Sequence, residues 1–227
     1  MTAVSVPGRL ISIEGGEGAG KSTAIAAVTG VLERHGRSVV SAREPGGTEF
    51  GEACRHLLLD TALTPCAESE LLLMFASRAQ LVRERIRPAL ARGEWVVCDR
   101  FTDASFAYQG GGRGLGAARV AELERWAVGL RPDLTILLDI GVEHGLARMR
   151  GRGEPDRIER ERTEFFERVR TSYLDRAARE PARFRVIDAA LPVESVTAQV
   201  VACLEAWLLE RAQAEAGHPE SVCEARS

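Results

Sequence analysis

The residues from Gly15 to Ser22, Gly-Gly-Glu-Gly-Ala-Gly-Lys-Ser, have the types and spacing of a phosphate cradle, GxxxxGK[ST]. Small residues let the backbone curl until successive N–H groups face one anion, and a helix opening at Lys21 adds the positive end of its dipole. Lys21 then reaches the outer phosphates of a nucleoside triphosphate, and Ser22 can hold Mg²⁺. Lys21 is the only lysine among 30 basic residues; every other one is arginine. A compact ammonium on a flexible stem is different chemistry from a planar guanidinium, and the loop demands the former. A glycine-rich turn with an incidental lysine is the competing reading, and the strand before and helix after the loop count against it.

An acid at the end of an apolar strand is the second part of such a site, where it meets the metal or its waters. Two stretches have that shape, Trp95-Val96-Val97-Cys98-Asp99 and Leu134-Thr135-Ile136-Leu137-Leu138-Asp139. Spelling does not separate them; Asp99 is preferred because Arg100 beside it offers a bidentate phosphate clamp. Arg43-Glu44-Pro45-Gly46-Gly47 ends another strand, where α/β proteins bind ligands, although a plain turn explains it equally well. Met74, Phe75 and Arg78 share a helix face, either as an aromatic platform beside a hydrogen-bonding fork or, preferred on the residues alone, as core packing with a snorkelling arginine. Between Gly145 and Arg162 stand Arg148, Arg150, Arg152, Arg157, Arg160 and Arg162, interrupted by Gly151, Gly153 and Pro155. That suits a mobile lid closing over phosphates, while the interleaved Glu154, Asp156, Glu159 and Glu161 also permit a solvated, salt-bridged face.

The elements that must carry these groups alternate. Strands are expected at 9–14, 37–42, 95–98, 134–139 and 184–187, and helices at about 21–35, 49–59, 68–92, 117–128, 163–179 and 193–211. Gly110-Gly111-Gly112-Arg113-Gly114 is too glycine-rich for a helix interior and reads as a loop. The alternation predicts a parallel sheet covered on both faces, with right-handed connections. One domain is expected over residues 1–213, with a mobile lid at about 145–162 and a frayed tail over 214–227.

Composition removes several functions. The net charge of −3, with acids mixed among the arginines, argues against a nucleic-acid-binding surface. Five cysteines without a CxxC pair, and four histidines without a ligand motif, indicate free thiols in a reducing compartment and no protein-bound transition metal. Residues 1–8 do not lead into a long apolar run, and no run approaches the length of a membrane span, so a soluble cytoplasmic protein is expected.

With these stretches in place, the chain closely resembles the bacterial thymidylate kinases. The resemblance covers roughly residues 9–210 and rests on the phosphate loop, on Arg43-Glu44-Pro45-Gly46-Gly47, on Asp99-Arg100, on Ala107-Tyr108-Gln109-Gly110-Gly111-Gly112-Arg113-Gly114 and on Asp156-Arg157-Ile158-Glu159. It implies a P-loop NTPase-type, three-layer α/β fold with a five-stranded parallel sheet, a homodimer, and transfer of the γ-phosphate of ATP to dTMP with Mg²⁺. Carried over by position, it implies that Gly15, Gly16, Glu17, Gly18, Ala19, Gly20, Lys21, Ser22 and Thr23 hold the ATP phosphates. Glu17 would also lie near the sugar 3′-hydroxyl or the magnesium shell, and Ser22 and Asp99 would hold Mg²⁺, partly through water. Arg100 would grip the dTMP phosphate. Arg78 and Ser105 would read the thymine edge, Tyr108 would sit where a 2′-hydroxyl would otherwise fit, and Pro45 and Gln109 would line the same pocket.

Two positions depart from the family pattern. The stacking phenylalanine usually found four residues before the thymine-reading arginine is Met74 here, with Phe75 next to it, so that either a local shift brings Phe75 onto the base or Met74 supplies a polarizable apolar contact to it. Gly18 stands where some members carry a basic residue, so the resemblance assigns the catalytic cation to the lid, to one of Arg148, Arg150 and Arg152. Two other functions fit the phosphate loop: a kinase acting on another nucleoside monophosphate, and an ATP-dependent switch. The latter gives no reason for an acceptor pocket, and a guanine-nucleotide switch is opposed by the absence of any asparagine or second lysine for an NKxD motif.

Overall fold

A computed structural model describes residues 8–149 and 154–217. Five strands, β1 (Leu10–Gly15), β2 (Val39–Arg43), β3 (Trp95–Asp99), β4 (Leu134–Asp139) and β5 (Phe184–Asp188), form one parallel sheet in the order β2-β3-β1-β4-β5. Each strand falls within a residue or two of an apolar run expected from the sequence. Side chains alternate across the sheet. Ile11, Ile13 and Val97 face α1 (Lys21–Arg34) and α9 (Val193–Gly217), where Val28, Leu32, Leu204 and Trp207 complete one layer. Leu10, Val96 and Cys98 face the opposite layer, built from α3 (Ala67–Leu81), α4 (Arg87–Ala91) and α6 (Ala117–Leu123) around Phe75, Leu81, Ile86 and Val120. Beside β4, α8 (Thr163–Arg179) contributes Phe165, Phe166, Val169 and Tyr173 to a third cluster.

A buried polar chain ties the last part of the molecule to the sheet. Ser12 and Thr135 share a hydrogen bond of 2.9 Å, Thr135 donates to Asp103, and Asp103 is gripped by Arg176 at 2.7 Å and Arg183 at 2.6 Å. Asp103 is fully buried, and the two guanidiniums hold its carboxyl below the usual range against the cost of burial.

The chain leaves β1 toward β2 on one side and later reaches β4 on the other, so the strand order reverses around β1. Ligands bind outside the carboxyl ends of strands at such a reversal. Gly15–Ser22, Asp99 and Arg100 all lie there.

Three expectations about helices change. The run expected as one helix from 68 to 92 is helical throughout, but α3 and α4 are joined by a π-helical turn at Val82–Ile86. The glycines expected as a loop instead complete a π-helical turn, Phe106–Gly112, that continues α5 (Thr102–Ser105). They are needed for spacing: a Cβ on Gly111 would come within 2.7 Å of Ser172, and one on Gly112 within 2.6 Å of the Phe165 ring, both on α8. Packing against α8 outweighs the weak helix propensity of glycine. The last helix, expected to stop near 211, runs to Gly217 because Ala212-Gln213-Ala214-Glu215-Ala216 are good helix formers. The rest of the expected tail, 218–227, lies outside the described residues, as do Arg150 and Arg152.

Candidate active site

The phosphate loop leaves β1 at Gly15 and enters α1 at Lys21, giving the strand, loop and helix that the motif requires. Lys21 Nζ donates to the carbonyls of Gly16 at 3.1 Å and Gly15 at 3.4 Å. Burial and the neighbouring Arg100 lower its pKa, while Glu17, Asp99 and Glu14 oppose them. Gly18 has φ 71°, and a Cβ there would lie 2.1 Å from the carbonyl oxygen of Gly145 on α7 (Val142–Met149). A Cβ on Gly145 would in turn lie 2.3 Å from the Glu17 carbonyl oxygen. Loop and helix therefore touch backbone to backbone, leaving no room for a side chain at position 18. Gly18→Ala is expected to strain the loop and push α7 away, costing about 2–3 kcal/mol and lowering the thermal midpoint by roughly 4–12 °C. Transfer should fall at least tenfold by the same displacement, roughly 1.4 kcal/mol or more. A thermal melt and steady-state kinetics of that variant check both numbers.

Of the two strand-end acids, Asp139 is occupied: Arg170 on α8 grips both its oxygens, at 2.7 and 2.9 Å. Asp99 faces Lys21 across the site, and its Oδ1 is buried without a hydrogen-bond partner. A buried carboxylate oxygen without a partner is costly unless something cationic meets it. Together with the Ser22 hydroxyl in the same cavity, it is a fitting oxygen donor set for Mg²⁺.

Arg100 is the one non-glycine residue with positive φ, 66°, among the described residues. Its backbone is fixed on both sides: its N–H donates to the Ile13 carbonyl at 3.0 Å, and the next N–H, that of Phe101, donates to Glu14 Oε1 at 2.7 Å. Burial and the nearby Asp103 push the Glu14 carboxyl up. The strain turns the Arg100 side chain back over the loop, where it donates to the Gly15 carbonyl at 3.0 Å and to Glu17 Oε1 at 2.7 Å. The guanidinium lies 4.8 Å from the Tyr108 ring centroid, and the Tyr108 hydroxyl donates to the same Glu17 oxygen at 2.7 Å. Burial works to raise the Glu17 carboxyl, but Arg100, Lys21 and Tyr108 override it and hold the pKa at about 2.

Two cavities meet at these groups. The larger, of ≈ 550 Å³, is walled by Gly18 to Thr23, by Leu146 and Met149 of α7, and by Glu154, Pro155 and Glu161. The smaller, of ≈ 200 Å³, is walled by Pro45, Met74, Arg100, Tyr108 and Gln109, by Arg43, Glu44 and Arg55, and by Asp156 and Ile158. Glu17, Lys21, Asp99 and Glu159 line both. Lys21 and Asp99 are thus shared by two chambers set end to end.

Arg78 and Ser105 lie behind the smaller cavity, both fully buried. Arg78 donates from Nε to Glu44 at 2.6 Å, from Nη1 to Ser105 at 3.0 Å and from Nη2 to the Phe101 carbonyl at 3.1 Å. A guanidinium has five N–H donors, so two remain, one on each terminal nitrogen. Phe75 packs in the core with its ring centroid 4.7 Å from that guanidinium, whereas Met74 reaches the cavity.

The arginines expected in a lid are more tightly tied than their spelling suggested. Arg148 donates to the carbonyls of Ala189, at 2.8 Å, and Ala190, at 3.3 Å, just after β5. Arg157 is bonded to Glu70 at 2.7 Å and to the Leu58 carbonyl at 2.8 Å. Sequence reasoning gave no role to Glu44, the buried partner of Arg78, or to Arg55, which donates to the Pro45 carbonyl at 3.1 Å and lines the smaller cavity. Glu44 carried a usable signal, an acid directly after a strand, as at Asp99. Arg55 carried none, since its place depends on how α2 (Glu49–Leu59) turns toward the sheet.

Comparison with known proteins agrees with this geometry. The family model described as thymidylate kinase matches residues 13–200. The chain is 60% identical over 202 residues to a thymidylate kinase of Chromohalobacter salexigens, covering 87% of this chain and 95% of the relative. It is 59% identical over 192 residues to that of Alkalilimnicola ehrlichii, covering 83% and 88%, and 52% identical over 205 residues to that of Alcanivorax borkumensis, covering 88% and 99%. The match runs from β1 into α9, through every strand and loop that builds the two chambers, and the chain belongs to the thymidylate kinase family.

Proposed function

We propose that the transfer of the γ-phosphoryl group of ATP to dTMP, giving dTDP for dTTP synthesis, takes place where the two cavities meet. The observation that carries this reading is their common wall of Glu17, Lys21 and Asp99: one chamber opens on a phosphate loop, the other ends in Arg100, and the reacting groups face each other across the same residues. Phosphoryl transfer asks the protein for positioning and for positive charge, and no covalent nucleophile is required.

ATP lies with its phosphates in the N–H groups of Gly15 to Thr23. Lys21 moves from the loop carbonyls to the phosphate oxygens. Arg100 grips the dTMP phosphate, and Glu17, ionised across the working pH range, steers both Arg100 and the hydroxyl of Tyr108. Tyr108 fills the space of a ribose 2′-hydroxyl. Arg78 offers its two remaining donors to the thymine edge beside Ser105, with Met74, Pro45 and Gln109 around the base. Ser22 and Asp99 would hold Mg²⁺, which when bound supplies charge neutralisation at the phosphate oxygens. The remaining cation comes from one of Arg148, Arg150 and Arg152, on a lid spanning about 145–162 of a single domain.

We also assign a homodimer in the cytoplasm. Phe50 and Leu57 on α2, Leu72 on α3 and Trp126, in the π-helical turn Glu124–Val128 after α6, are exposed, and α2 packs on α3 and α3 on that turn. Exposed apolar side chains on neighbouring elements support an interface between copies there. Four of the cysteines are free thiols, in keeping with a reducing compartment, and no helix among the described residues is long and apolar enough to cross a membrane.

Purified protein with ATP, Mg²⁺ and a panel of nucleoside monophosphates tests the acceptor assignment. dTMP is expected to be turned over best, with dUMP, lacking only the methyl group, lower by roughly 10-fold or more. Preference for dCMP or dGMP would overturn it.

A further inference from the structure

Glu70 lines neither cavity, yet Gln109, which walls the smaller one, and two arginines, Arg113 and Arg157, converge on it. It lies on α3 and is 1% exposed. Its Oε1 accepts from Gln109 Nε2 at 2.9 Å; its Oε2 accepts from Arg157 at 2.7 Å and from Arg113 at 3.0 Å. Arg113 reaches on to Glu161, and the Arg157 backbone N–H donates to the Leu59 carbonyl at 3.3 Å. Burial alone would raise the Glu70 carboxyl, but these three donors hold it below its ordinary value. It is a carboxylate clasped by two guanidiniums and an amide.

The segment from Glu154 to Glu161 gains its seat by this clasp. It is stiffened locally, since Asp156 Oδ1 accepts the backbone N–H groups of Ile158 and Glu159, both at 2.9 Å. Asp156 and Ile158 wall the smaller cavity, Glu154, Pro155 and Glu161 the larger, and Glu159 both. Remove the Glu70 charge, and Arg157 loses its carboxylate partner while Arg113 keeps only Glu161, so two neighbouring, partly desolvated cations repel and drive the segment outward.

We propose that Glu70 is a positioning residue for phosphoryl transfer: through Arg157 and Arg113 it seats residues 154–161 across both nucleotide chambers, and through Gln109 it fixes the acceptor wall at the same time. The inference rests on the transfer reaction assigned above; turnover of dTMP by the unmodified protein tests that reaction separately.

The variants Glu70→Gln, Arg157→Ala and their combination distinguish this role from simple support of the fold. Loss of charge-assisted hydrogen bonds predicts that Glu70→Gln raises KM for both ATP and dTMP by roughly 10- to 100-fold. Arg157→Ala, which leaves Glu70 paired with Arg113, should act in the same direction, and the double variant should be no worse than the more damaged single one. A readout independent of catalysis is cleavage after Glu154, Glu159 or Glu161 by a glutamate-specific protease, expected to quicken in each variant at temperatures well below its melting point. If Glu70→Gln does not fold, Arg157→Ala alone carries the test. Unchanged KM values, a rise confined to one substrate, additive losses in the double variant, or unchanged cleavage would overturn the inference.

Discussion

Lys21→Ala is expected to lower kcat by about 10³-fold or more, the scale set by other cations that stabilise a transferring phosphoryl group. The thermal midpoint should hardly move. Lys21 is half-buried beside Arg100, so its charge is held at some cost, and the bonds lost on truncation are two contacts to loop carbonyls, at 3.1 and 3.4 Å. Lys21→Arg should rescue little: a planar fork on a rigid head does not replace a compact ammonium that reaches the Gly16 carbonyl and faces Asp99, and this chain uses arginine wherever arginine serves. Single-turnover kinetics with a melt of each variant checks the claim. Substantial residual transfer by Lys21→Ala would mean that another group bears on the outer phosphate.

Arg78→Ala should be the most destabilising change near the site. Arg78 and Glu44 form an ion pair whose side chains are 0% and 1% exposed, and Glu44 Oε1 already lacks a partner. Truncating the arginine leaves a carboxylate buried and unpaired, which costs about 3–5 kcal/mol. For a protein of this size that lowers the thermal midpoint by roughly 6–20 °C. The carboxyl responds by taking a proton, because burial already pushes its pKa up to about 7 even with Arg78 in place. The loss should therefore shrink in acid, where the protonated Glu44 of the variant is neutral in both states. Adding Glu44→Gln to Arg78→Ala should recover much of the stability while dTMP binding stays lost. A single variant that melts within a degree or two of the parent would show that the pair is solvated in solution.

What could be read ahead of the structure divides along sequence distance. The phosphate loop is contained in eight consecutive residues, so its shape, its strand and its helix were legible together. The inner strands β1, β3 and β4 were legible because each is a short apolar run buried on both faces. Asp99 and Asp139 could not be separated by spelling, since the residue that occupies Asp139, Arg170, comes from α8, 31 positions later. Gly110 to Gly112 looked like a loop because the need for small residues is set by α8, not by their neighbours. Arg157 read as a cation for phosphate, and its actual partner, Glu70, stands 87 positions earlier on a helix the motif does not touch. Met74 and Phe75 are adjacent, yet helix rotation sends one to the cavity and the other beneath Arg78.

The backbone contact between Gly18 and Gly145 bears on how such a site can change over generations. With 2.1 Å between a Cβ on one residue and the carbonyl of the other, a side chain at position 18 is incompatible with α7 where it stands. A descendant that acquired a loop cation would first lose the seat of α7, and one that relaxed α7 first would gain nothing until the cation arrived. Neither single step is favourable, so the two glycines form a barrier between alternative sources of catalytic charge. Random mutagenesis should accordingly recover a basic residue at position 18 only together with a compensating change in α7.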